Sequence, residues 1–143
     1  MKISTKGRYS LRVMLDLALH INDGYVPLRD IAQRQGITVK YLEQIIGILQ
    51  KAGFLLSLRG NSGGYQLARA ASDYIVGDIL RATEGSLAPL ACLDSADCSA
   101  ASRCTTKRFW DGLASVITQY VDCYTLQDLV DMEKQNMELD YCI

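Results

Sequence analysis

Apolar residues recur at intervals of three and four along most of this chain, and the pattern breaks where turn chemistry appears. Leu11, Met14, Leu15, Ala18 and Leu19 form the first stripe. It predicts a helix over residues 5–21, stopped by Asn22-Asp23-Gly24. Pro27 opens a short second helix with Leu28, Ile31 and Ala32 on its inner side, and Gly36 ends it. Thr38 is an N-cap residue for a third helix over 39–52. Tyr41, Leu42, Ile45, Ile46 and Leu49 make its apolar stripe, while Val39, Lys40, Glu43, Gln44, Gly47 and Gln50 fall on the opposite side. Two short helices joined by a tight glycine-containing turn form a helix-turn-helix, whose second helix presents hydrogen-bonding side chains near its N-terminus, where base edges are read.

The period then shortens. Residues 54–58 read as a strand, 59–64 as a tight turn and 65–68 as a returning strand, which is the wing of a winged helix with Arg59 at its tip. An arginine there suits a minor groove or a phosphate. Ser72 or Asp73 starts another helix that ends near Glu84-Gly85. Further on, Phe109, Leu113, Val116, Ile117, Tyr120 and Tyr124 resume the helical period, and Trp110 and Val121 broaden the stripe. That is more apolar surface than one small domain covers, so a long helix pairing with its copy in a homodimer is expected, with Phe109, Trp110, Leu113, Val116, Ile117 and Tyr120 at the interface. Thr125 caps a last short helix over 126–133, and the acidic segment 138–140 is expected to fray. The fold class expected is mainly α: a winged helix-turn-helix with a two-stranded wing plus a long C-terminal dimerisation helix. The divisions are a DNA-binding domain at 1–84, a cysteine-bearing sensor loop at 85–105, and a dimerisation helix with its tail at 106–143.

Charge sharpens this picture. The net charge of −1 hides a division between halves. Residues 1–69 hold ten basic and four acidic side chains; residues 70–143 hold five basic and twelve acidic ones. The basic front half suits a polyanion and the acidic back half suits sensing or assembly. An apolar fraction of 49% is sufficient for a core. No run approaches the ~18 apolar residues of a membrane span, and the N-terminus lacks the apolar segment of a signal peptide. A cytoplasmic protein is expected, in which cysteines are reduced, ligating or redox-active.

The stretch from Cys92 through Cys98 to Cys104 carries the candidate chemistry. Five residues separate each cysteine from the next, filled mostly by Ser, Ala and Asp with no apolar period. Order must come from something other than a core, and three thiols in one loop can wrap a soft centre: zinc, copper(I) or an iron–sulfur cluster. The spacing is unlike the Cys-x2-Cys pairs of zinc ribbons. Arg103 and Lys107 flank Cys104 and favour its thiolate. Cys123 is read as packing and Cys142 as a free tail thiol. His20 is read as structural, near the C-terminus of the first helix.

Several motifs occur together and in order: Lys-Gly-Arg-Tyr at 6–9, Tyr-Leu-Glu-Gln at 41–44, Arg-Gly-x-x-Gly-Gly-Tyr at 59–65, and the three spaced cysteines. In these the chain resembles the Rrf-type winged-helix repressors, a family with IscR-like, NsrR-like and CymR-like branches. The resemblance implies a homodimeric cytoplasmic regulator that binds a double-stranded DNA operator. It puts Tyr41, Glu43 and Gln44 on the reading helix, beside Thr38, Val39 and Lys40, and Arg59 with Gly60 on the wing; Lys2 and Arg8 complete the DNA-binding set. Glu43 would act as a specificity element, accepting from cytosine N4 and repelling other sites. Cys92, Cys98 and Cys104 match the cluster ligands of the IscR-like and NsrR-like branches, which implies a [2Fe-2S] or [4Fe-4S] cluster. The fourth ligand is unassigned: where IscR-like members carry a histidine this chain has Lys107, and where the NsrR-like branch uses a carboxylate it has Arg8.

Two other readings compete with a cluster-controlled regulator. One is a metal-free thiol switch that still regulates transcription through disulfides or sulfenic acid. The other is an iron–sulfur carrier or redox protein that does not bind DNA, which leaves the wing unexplained. No acid–base pair, Cys-x2-Cys redox pair or nucleotide-binding glycine loop occurs, so neither an enzyme nor a nucleotide cofactor is expected.

Overall fold

The computed structural model describes residues 2–94, 98 and 102–141. The described residues form six α-helices and one two-stranded sheet: α1 (Thr5–Leu19), α2 (Leu28–Gln35), α3 (Val39–Lys51), β1 (Leu55–Leu58), β2 (Gly64–Leu67), α4 (Val76–Glu84), α5 (Lys107–Asp122) and α6 (Leu126–Tyr141). The fold is the expected mainly α winged helix-turn-helix, followed by two long helices.

Helix α1 starts at Ser4, whose hydroxyl accepts from the Gly7 N–H. Its fully buried side is Ser10, Val13, Met14, Leu17 and Ala18; of the anticipated stripe Met14 and Ala18 are fully buried, while Leu11, Leu15 and Leu19 are half-buried against the same core. The reason is that α1 serves two apolar clusters. Val13, Met14 and Leu17 enter the main core, whereas Leu11 also turns to a second cluster of Val76, Leu80 and Leu87. The helix ends at Leu19, two residues early, where His20 becomes the C-cap and its ring Nδ1 meets the Asp16 carbonyl at 2.7 Å.

Pro27 sits at the N-cap of α2, and Gly36 closes that helix in the left-handed region at φ 64°. Thr38 caps α3 by accepting from the Tyr41 N–H at 3.2 Å. Leu42, Ile45, Ile46 and Leu49 are buried against Ile31 and Ala32 of α2 and against α1. A buried carboxylate fastens the motif: Asp16 of α1 accepts from Nε and Nη2 of Arg34, at 2.8 and 2.7 Å, and from Gln35.

The wing pairs Leu55 with Leu67 and Leu58 with Gly64 in antiparallel register. Val26 extends the pairing by exchanging backbone hydrogen bonds with Tyr65 at 2.8 and 2.9 Å. Gly64 permits this approach, because a Cβ there would collide with the Val26 carbonyl. At the wing's base, the Tyr74 hydroxyl donates to the Phe54 carbonyl and accepts from the Arg69 N–H.

Helix α4 begins at Val76, later than Ser72 or Asp73. Tyr74 and Ile75 are extended instead, because the Tyr74 carbonyl accepts from the Leu126 N–H and the Val76 N–H donates to the Tyr124 carbonyl, on either side of an Ile75–Thr125 bridge. That bridge stitches the start of α6 to the start of α4, and Leu126 and Val130 enter the main core. Arg81 of α4 grips both carboxylate oxygens of Asp122 at 2.8 Å and so holds α5. Helix α6 runs to Tyr141 rather than ending near 133 and fraying. Residues 126–141 contain neither Gly nor Pro and are rich in Leu, Met, Glu and Gln, all good helix formers.

Candidate nucleic-acid interface and cysteine hollow

Helix α3 presents Thr38, Val39, Lys40, Glu43 and Gln44 to solvent, all exposed. The side chains of Lys40, Glu43 and Gln44 form no hydrogen bond or ion pair among the described residues, so their polar groups are free to meet a ligand. Tyr41 is half-buried and stands edge-on to Tyr9 of α1, ring centroids 6.0 Å apart. The guanidinium groups of Arg8 and Arg12 lie 5.3 and 4.9 Å from the Tyr9 ring centroid. Stacking thus brings the basic first turns of α1 beside the start of α3. Arg8 also borders an apolar groove between α1 and α6 with Leu11, Leu15, Leu129 and Met132. Lys2 is exposed ahead of α1, and Arg59 and Gly60 are exposed at the wing turn.

The three cysteines come from different local structures. Cys92 lies in a single 3₁₀ turn over Ala91–Leu93, Cys98 is half-buried, and Cys104 precedes α5. All three line one hollow of about 210 Å³ together with Leu90, Leu93, Thr106, Lys107 and Trp110. Among the described residues no three His, Cys, Asp or Glu side chains gather tightly enough to hold a single metal ion.

Hydrogen bonding tunes this site. Cys104 Sγ lies 3.6 Å from Thr106 Oγ1, and that contact, reinforced by the Thr106 backbone, lowers the Cys104 thiol pKa. The expected direction is right, but the main cause is the hydroxyl rather than the flanking cations; Lys107 contributes less. The Lys107 ammonium donates to Asp111 at 2.6 Å, and this bond raises its pKa and keeps it protonated. A protonated lysine offers no lone pair, and Lys107 borders the hollow with its ammonium committed to Asp111.

Two roles were not visible in the sequence. Thr106 is one hydroxyl among many until the chain turns back on Cys104. Trp110 belongs to the stripe expected at a dimer interface, yet it is half-buried and forms a wall of the hollow. Ile117 likewise packs inward, onto the Val76–Leu80–Leu87 cluster. Phe109, Leu113, Val116 and Tyr120 remain exposed, and α5 has no buried residue. Cys123, expected to be packing, is exposed at the C-cap of α5, where its thiol donates to the Tyr120 carbonyl. Cys142 lies outside the described residues.

Residues 3–132 match the Rrf2 family model, described as "Iron-dependent Transcriptional regulator". The chain belongs to the Rrf2 family. It is therefore a DNA-binding transcriptional regulator, in keeping with its winged helix-turn-helix. The HTH-type transcriptional regulator IscR of Photobacterium profundum is 44% identical over 130 residues, covering 91% of this chain and 76% of the relative. Among solved structures, IscR of T. potens superposes with a TM-score of 0.78 at 41% identity, covering 95% of this chain and 90% of that one. CymR, the global cysteine regulator of B. subtilis, superposes with a TM-score of 0.77 at 36% identity, covering 92% and 98%. No helix among the described residues is long and apolar enough to cross a membrane.

Proposed function

We propose that this Rrf2-family chain is a homodimeric regulator whose affinity for its operator depends on an iron–sulfur cluster held by Cys92, Cys98 and Cys104. One observation carries the reading: the three cysteines, spread over thirteen residues of sequence, line a single hollow at the foot of α5. When bound, a thiolate-held cluster supplies a redox-active centre whose presence depends on iron supply and oxidants.

The chain's own residues account for the rest. Leu90, Leu93 and Trp110 give the hollow apolar walls, and Thr106 favours the thiolate form of Cys104. The segment 85–105 links α4, which packs on α1, to α5, whose exposed side is Phe109, Leu113, Val116 and Tyr120. Ordering that segment would bias the angle between the winged helix and α5. Bias of this kind changes affinity only if one arrangement binds DNA better than the other. On the DNA side, Lys40 and Arg59 would neutralise phosphate or groove charge, while Glu43 and Gln44 would read base edges. Cytoplasmic residence follows from that role.

The test is the absorption spectrum, with iron and acid-labile sulfide, of protein purified without oxygen. Visible charge-transfer bands that vanish in Cys98→Ala, with a parallel change in operator affinity, are the expected result. A colourless, metal-free protein would refute the cluster and transfer sensing to the thiols, where the acidified Cys104 is the natural nucleophile.

A further inference from the structure

A cleft of about 500 Å³ separates the first turn of α2 from the wing. Its lining includes Arg29 on one side, Ser57, Arg59 and Asn61 on the other, and Gln50 from the last turn of α3 at the back. No carboxylate lines it. Arg29 and Arg59 are both exposed and neither forms an ion pair among the described residues. The nearby Asp30 is not among the lining residues and forms no ion pair with Arg29. Two uncompensated guanidinium groups therefore face one solvent-filled space, with amide and hydroxyl groups between them.

This space is pre-formed. The Val26–Tyr65 backbone pair fixes the residue before Pro27 to strand β2, so the start of α2 and the wing move as one body. Gly64 is the point of closest approach, where a side chain would force the two apart. Arg29 and Arg59 are thus held on opposite walls by backbone hydrogen bonds.

We propose that this cleft seats a phosphodiester of the DNA backbone, with Arg29 and Arg59 gripping its oxygens, and that Arg29 is a positioning residue for the operator complex. Guanidinium donors match phosphate oxygens in geometry and carry their charge at every working pH. Such a contact fixes the register of the wing and of α3 on the duplex and carries no base preference. The proposal rests on the reading of α3 and the wing as the DNA-facing surface.

The measurement is binding of fluorescent duplexes, one operator and one unrelated sequence, as a function of salt, for wild type, Arg29→Gln and Arg29→Lys. Each phosphate contact contributes about 0.9 to the slope of log K against log salt. Arg29→Gln should lower that slope by about one on both duplexes, so that wild type loses about 3.5-fold more affinity than the variant over a four-fold rise in salt. Arg29→Lys should restore most of the slope. An unchanged slope in Arg29→Gln overturns the phosphate seat, as does a loss confined to the operator, which would make Arg29 a base reader. A wild-type protein with no salt-dependent binding to either duplex would instead remove the DNA-facing reading on which the cleft depends.

Discussion

The carboxylate of Glu84 accepts from both the backbone N–H and the hydroxyl of Ser4, at 3.2 and 2.6 Å, across 80 residues of chain. Glu84 is the last residue of α4 and Ser4 is the N-cap of α1. The cysteine segment therefore leaves from a point fastened to the helix whose Tyr9 abuts Tyr41 on the reading helix. Ser4→Ala removes the cap and the hydroxyl half of the tie, leaving the backbone N–H bond, and should cost about 1 kcal/mol. Glu84→Ala should cost about 0.5 kcal/mol, through the tie alone. A double-mutant cycle in urea should return a coupling of about 0.5 kcal/mol, and additive losses would mean the tie contributes nothing to stability.

Asp16 and Arg34 join α1 to the helix-turn-helix unequally. Asp16 is 4% exposed, whereas Arg34 is about a third exposed. Removing the arginine strands a carboxylate in the core; removing the carboxylate releases an arginine into water. Arg34→Ala should therefore destabilise by about 3 kcal/mol and Asp16→Ala by about 2 kcal/mol, the reverse of what an account based on lost contacts alone would give. Thermal or chemical unfolding of the two variants decides the order.

These two ties mark the boundary of what could be read from the chain alone. The helix-turn-helix, its caps at Thr38 and Gly36, and the wing were legible because each depends on residues close in sequence. The buried side of α1 was not fully legible, because Leu11 also serves a second cluster formed by helices that arrive much later. The late start of α4 follows from a backbone pairing between Ile75 and Thr125, fifty residues apart, which leaves no periodic trace. At the site, the three cysteines announced themselves by spacing. Trp110 and Thr106 did not, since facing a hollow is a property of the turn before α5 and not of the residue type.

Thr125 and Asp128 form a reciprocal cap at the start of α6. The carboxylate accepts from the Thr125 N–H and hydroxyl at 2.7 Å, and the threonine oxygen accepts from the Asp128 N–H at 3.2 Å. Those bonds favour the ionised form, led by the one from the backbone, and hold the Asp128 pKa below the ordinary carboxylate value. The folded pKa lies below the unfolded one, so this contribution is complete above the unfolded pKa and is lost as pH falls through the folded one. Asp128→Asn should lower the melting temperature at pH 7, and the gap from wild type should close at pH values below the carboxylate range. A gap that persists in acid would show that packing, not charge, underlies the cap.

Helix α5 leaves Phe109 and Val116 exposed by 65% and 61%, with Tyr120 at 64%. Under the homodimer reading these residues meet their copies across a two-fold axis, so one substitution appears twice in the interface. Val116→Glu would bring two unpaired carboxylates into it. Sedimentation should find the wild type dimeric at micromolar concentration and the variant's dissociation constant raised at least about 100-fold, with its helical circular dichroism unchanged. Dimers that persist in the variant would mean that another surface joins the subunits.

Under the cluster reading, Lys107 offers the most direct test of the unassigned fourth ligand. Its ammonium is committed to Asp111, one turn along α5, and it borders the hollow shared by the three cysteines. That ion pair is half-exposed and within one helix, so losing it should barely affect stability. A neutral imidazole at the same position offers a lone pair that the ammonium cannot. Lys107→His should therefore keep its iron and its visible absorbance several-fold longer in air than wild type, while Lys107→Ala should not. The alanine variant separates the two effects of the change, loss of the cation and gain of a donor. If both variants lose iron at the wild-type rate, position 107 has no part in coordination, and the fourth ligand lies elsewhere.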